Sequence, residues 1–89
     1  MYLSVFDLDD VKRQLAFQSR VWLDGVEVTT DCQIAIVNEP DQADGVRLLK
    51  RDADGRHYVE PNGDLAVEWK HGRITIQLPN ASAVVSGDG

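Results

Sequence analysis

The chain has 89 residues, 43% hydrophobic and 27% charged, which makes one domain with a modest core and leaves little room for a deep substrate cavity. That balance is too apolar for a disordered chain, and no run approaches the ~18 apolar residues of a membrane span. The formal charge of −6 is uneven, with nine acidic and three basic residues up to Gly45 and six of each from Val46 onward. An acidic first half disfavours nonspecific contact with DNA or anionic membrane, and allows docking on a basic protein surface.

The opening residues Met1 to Asp7 lack a basic stretch and reach acids within one turn, so they are read as no signal peptide. Cys32 is alone, which excludes an internal disulfide and fits a reducing compartment. The expected location is the cytoplasm or the inside of a virion. A helix is predicted over about 8–18, with Asp7 as N-cap, Asp10 in the capping-box position and a staple from Phe6 to Val11. Leu8, Val11 and Leu15 form an i, i+3, i+7 stripe facing a sheet.

Hairpins follow. Arg20-Val21-Trp22-Leu23, Asp24-Gly25, Val26-Glu27-Val28-Thr29 carries a two-residue turn of type I′ composition. Its register puts Val21, Leu23, Val26 and Val28 on one face and Arg20, Trp22, Glu27 and Thr29 on the other. Gln33 to Val37 reads as a central strand covered on both faces, and Asn38 to Gly45 as a loop. Val46–Arg51 and Arg56–Glu60 flank Asp52-Ala53-Asp54-Gly55, a loop whose register opposes Asp52 to Arg56 and Leu49 to Val59. After the turn Pro61-Asn62-Gly63-Asp64 comes a last hairpin about His71-Gly72, with Trp69 opposite Ile74, Val67 opposite Ile76 and Leu65 opposite Leu78 on a dry face. On this reading Trp69 is core, and Trp69→Ala costs about 3–5 kcal/mol. The whole is expected to be mainly β (α+β), a small antiparallel barrel or sandwich with one N-terminal helix: a single domain over 1–79 and a C-terminal tail over 80–89.

The inventory for chemistry is sparse. Cys32 has no nucleophile motif, and His57 and His71 belong to no metal-ligand spacing. Asp52-Ala53-Asp54-Gly55 resembles the middle of a calcium loop, but Lys50 and Pro61 stand where that loop needs its first and last carboxylates. Asn80-Ala81-Ser82 matches a glycosylation acceptor by composition alone. The expectation is therefore no catalytic activity, no cofactor and no metal. Arg47, Lys50, Arg51, Arg56 and His57 with Tyr58 form a basic cluster, interleaved with Asp52, Asp54 and Glu60, which suits a polar protein contact better than nucleic acid.

The stretch Val5 to Leu15 resembles the opening helix of phage head–tail connector proteins, with the specificity of any capped amphipathic helix. Those proteins continue as helices where this chain turns to hairpins, so no site residue is carried over. Trp22 is an aromatic on a polar face beside Arg20 and Glu27, an interface composition if it does not pack beneath the helix. The tail segment Ala83-Val84-Val85 has the β-branched character to add a strand to a neighbour. The candidate protein-binding residues are thus Trp22, Arg20, Glu27, Val84 and Val85. The function expected is a non-enzymatic protein–protein interaction or assembly protein, a component of a viral or phage particle, with other protein chains or copies of itself as partners. The alternative is a small acidic inhibitor of a basic, nucleic-acid-binding site.

Overall fold

A computed structural model describes residues 1–79 and 84–87. In chain order the elements are β1 (Tyr2–Ser4), α1 (Asp10–Gln18), β2 (Arg20–Leu23), β3 (Val26–Glu27), β4 (Cys32–Ile36), β5 (Gly45–Leu49), β6 (Val67–His71), β7 (Ile74–Gln77) and β8 (Val84–Gly87). The strands form two antiparallel four-stranded sheets, ordered β1-β4-β5-β6 and β3-β2-β7-β8. Of the two expected architectures this is sandwich-like, not a closed barrel. The core between the sheets joins Leu3, Ala35, Val46 and Leu48 of the first to Val21, Ile74 and Ile76 of the second.

The expected hairpin over 20–29 forms as read. Trp22 opposes Glu27 and Leu23 opposes Val26, and the turn places Asp24 at φ 50° and Gly25 at φ 84°, the two left-handed residues a type I′ turn requires. The central strand is also as expected: β4 lies between β1 and β5, and Ile34, Ala35, Ile36 and Val37 are all buried. The turn at Asp52–Gly55 holds, with Asp52 N–H donating to Arg56 C=O at 2.8 Å, but its ladder goes no further than one bridge between Arg51 and His57. Leu49 then pairs with Val67 instead of Val59, which bridges to Leu65.

The last hairpin does not exist. β6 pairs with β5 and β7 with β2 and β8, so His71-Gly72-Arg73 carries the chain from one sheet to the other. The crossing is pinned by Asp24, whose N–H donates to Arg73 C=O at 2.8 Å and whose carboxylate accepts from Arg73 N–H at 2.9 Å. The alternation that suggested a hairpin is real, but its apolar side in β6 points out of the sandwich. Glu68 and Lys70 oppose the core residues Leu48 and Val46, while Trp69 opposes Arg47 on the outer face. Trp69 is accordingly 45% exposed, not core.

The helix starts two residues late. Asp9, not Asp7, is the N-cap, its carboxylate accepting from Val11 and Lys12 N–H, while Asp7 accepts from Asp9 N–H in the preceding turn. The predicted stripe does not dock: Leu8 is 96% and Val11 80% exposed, and only Leu15 and Ala16 reach the core. Ser19, buried, closes the helix by donating to Leu15 C=O at 2.7 Å. The described part of the expected tail is a strand. Val84–Gly87 pairs with β7 of its own chain, Val85 opposite Ile76. Residues 80–83, including the glycosylation match and Ala83, fall outside the described residues.

Candidate functional site

The residues singled out around Trp22 are brought together, but as a closed unit. On the outer face of the β3-β2-β7-β8 sheet, the Arg20 guanidinium lies over the Trp22 ring, 5.2 Å from its centre. Two nitrogens of Arg20 reach Glu27 at 3.0 and 2.8 Å, and Thr29 Oγ1 donates to the same carboxylate at 2.8 Å. These hydrogen bonds, Arg20's first, hold the Glu27 carboxyl down to about 2. The rest of this face is Thr75, Gln77 and Ser86, with Val84 exposed at its edge. Trp22 is half-buried and its charged neighbours satisfy each other.

The other outer face differs in kind. Opposed residues along the β1-β4-β5-β6 sheet put Tyr2, Ile36, Gly45 and His71 in one row, and Ser4, Ile34, Arg47 and Trp69 in the next. Val67 continues it opposite Leu49. This surface should be wet in a two-sheet sandwich, yet it carries Tyr2 and Trp69, each 45% exposed, with Phe6 and Leu65 exposed beside it. Gly45 has a local reason. A Cβ there would stand 2.6 Å from His71 Nδ1, so its absence lets the imidazole lie over the strand, where Nδ1 sits 3.0 Å from Asp44 C=O.

Two shallow depressions open on this face. One, of about 360 Å³, lies among Tyr2, Ile36, Gln42, Ala43, Trp69 and His71, with no carboxylate, lysine or arginine in its lining. The second, of about 590 Å³, lies among Phe6, Gln33, Arg47 and Val67, with Glu60, Asn62 and Asp64 at the turn that borders it. Gln33 sits at the irregularity between Cys32 and Ile34 that shifts the β4–β5 register. Its Oε1 and the Nε of Arg47 are the two buried side-chain atoms without a hydrogen-bond partner among the described residues. A buried polar atom without a partner is costly in a protein interior, and both of these residues line the depression.

The basic cluster expected on the middle hairpin is divided by the fold. Arg51 makes a bidentate pair with Asp31 at 3.0 and 2.8 Å, and His57 Nε2 lies 2.7 Å from the same carboxylate. Asp31 is held below the usual carboxylate range, by Arg51 first and also by His57, against the opposing effect of partial burial. Arg51 also donates to Gly55 C=O at 2.7 Å, so the cluster clips the 52–55 turn to the start of β4. Asp52 is used locally, accepting from Asp54 and Arg56 N–H. Among the described residues no three of His, Cys, Asp and Glu gather as a metal would need. Burial pushes the Cys32 thiol up to about 12, which leaves it a protonated, half-buried side chain against the core.

No helix among the described residues is long and apolar enough to cross a membrane. No protein-family model, curated protein or solved structure matches this chain.

Proposed function

We propose that the chain is a protein-binding module whose contact surface is the outer face of the β1-β4-β5-β6 sheet, and that its partner is a segment of another protein. One observation carries this: Tyr2 and Trp69 stand 45% exposed on the outer face of a sheet, with Phe6 and Leu65 exposed beside them and two depressions opening among these residues. An apolar side chain of that segment fits the depression between Tyr2 and Trp69. Tyr, Trp and Arg are also the residues enriched where interfaces concentrate their energy. Glu60 and Asp64 at the border favour a peptide over a free anion or a nucleic-acid phosphate. The alternative of an acidic inhibitor draws less support, because Glu27, Asp31, Asp9 and Asp52 are committed to internal caps and ion pairs. A larger assembly, such as the viral or phage particle expected from the sequence, is a setting in which such a face would be covered.

The test is selection of peptides from a displayed library on the immobilised domain. Selected peptides should lose about tenfold or more in affinity on Trp69→Ala and on Arg47→Ala, and should bind Trp22→Ala unchanged. Peptides equally sensitive to Trp22→Ala and indifferent to Trp69→Ala and Arg47→Ala would contradict the assignment.

A further inference from the structure

The edge of the same sheet carries a second message. β6 is an outermost strand, and its backbone phase follows from the hydrogen bonds around it. Leu49 N–H donates to Asp31 C=O and Lys50 N–H to Ala66 C=O, each at 2.9 Å, so β5 alternates between β4 and β6. With the β5–β6 register, that alternation directs the N–H and C=O groups of Glu68 and Lys70 toward β5 and those of Val67, Trp69 and His71 toward the open edge.

We infer that β6 pairs antiparallel with β6 of a second copy, about a two-fold axis at Trp69, to join the two sheets into one. The sequence Val67-Glu68-Trp69-Lys70-His71 is complementary to itself in this register. Trp69 meets its counterpart, Val67 meets His71, and each Glu68 meets a Lys70. The residues with outward backbone groups, Val67, Trp69 and His71, are the ones that this register makes hydrogen-bonded pairs. Glu68 and Lys70 then fall at the non-hydrogen-bonded positions, where opposed side chains come closest and opposite charges attract. A two-fold interface needs a surface that complements itself, and this strand does so in both backbone phase and charge. Sheet edges ordinarily place charge to repel a second strand; here the two charges have opposite sign and symmetric spacing about the centre. The other edges lack this: β1 is three residues, β3 two, and the four residues of β8 carry no charge. Pairing at β6 would also set the two Trp69 side chains together on the outer face, merging the two proposed contact surfaces into one platform.

Sedimentation over a concentration series tests the pairing with the full chain. The parent should form dimers, and Lys70→Glu or Glu68→Lys alone, which oppose like charges twice, should weaken them by about tenfold or more. An equimolar mixture of the two single variants should form dimers again, as should Glu68→Lys/Lys70→Glu in one chain. These variants leave Tyr2, Arg47 and Trp69 in place, so peptide capture by the face is read separately from self-pairing at the edge. A parent that stays monomeric up to about millimolar concentration, a dimer indifferent to the single reversals, or a mixture that fails to recover dimers would overturn the pairing.

Discussion

The two sheets bury their inner faces against each other and treat their outer faces in opposite ways. Outside β3-β2-β7-β8, the large aromatic is Trp22, covered by Arg20, which Glu27 holds in turn; the surface is closed. Outside β1-β4-β5-β6, Trp69 and Tyr2 are open, and the buried Nε of Arg47 has no hydrogen-bond partner among the described residues. Both faces pair an arginine with a tryptophan. What separates them is that Arg20 lies over Trp22 and is held there by Glu27, whereas Trp69 is left 45% exposed.

The largest effect that sharpens this contrast compares the core with the open face. Ile76, fully buried between the sheets, should cost about 2–5 kcal/mol on truncation to alanine, whereas Trp69→Ala should cost about 1 kcal/mol or less in the monomer. Urea unfolding of both variants at concentrations that exclude self-association reads the difference; equal losses would return Trp69 to the core.

A smaller effect tests how the open face is built. Gly45→Ala should cost about 1–3 kcal/mol, because the added Cβ meets His71 and the Lys70 carbonyl, and the imidazole must leave the strand. Loss of the His71 Nδ1 contact with Asp44 should be visible in the imidazole nitrogen shifts. An unchanged imidazole would mean that Gly45 plays no part in seating it.

The smallest effect belongs to the closed face. Because the Glu27 carboxyl is lowered to about 2, its contribution to stability is complete above the ordinary glutamate range near 4.5 and lost as pH falls through about 2. Trp22 fluorescence should follow that protonation. In Arg20→Ala the Glu27 midpoint, followed by carboxyl carbon shifts, should rise toward the ordinary range while Thr29 still lowers it. A midpoint already ordinary in the parent would remove the closure argument for this face.

What was legible in the sequence was local. Asp24-Gly25 wrote its own turn, and the apolar run Gln33–Val37 announced a strand covered twice, because each depends on neighbours in the chain. What failed depended on partners far away. His71-Gly72 has hairpin grammar, but β7 finds β2, and β6 finds β5; alternation says which residues share a face and not which way that face points. The helix stripe failed similarly: shifting the cap from Asp7 to Asp9 and docking by Leu15 and Ala16 leaves Leu8 and Val11 outside. At the site, the hairpin register places Trp22, Arg20 and Glu27 on one face, and the contacts among them are those of a closed group. The face with Arg47, Gln33, Tyr2 and His71 was missed, because its members come from separate strands.

The most direct measurement is nuclear magnetic resonance of the two indole N–H groups during titration with a peptide selected on the domain. The result expected is a shift of the Trp69 indole, together with the Arg47 Nε–H and the Tyr2 and His71 amides, while the Trp22 indole stays in place. A shift of Trp22 with Trp69 unmoved would contradict the claim that the outer face of the β1-β4-β5-β6 sheet is the contact surface.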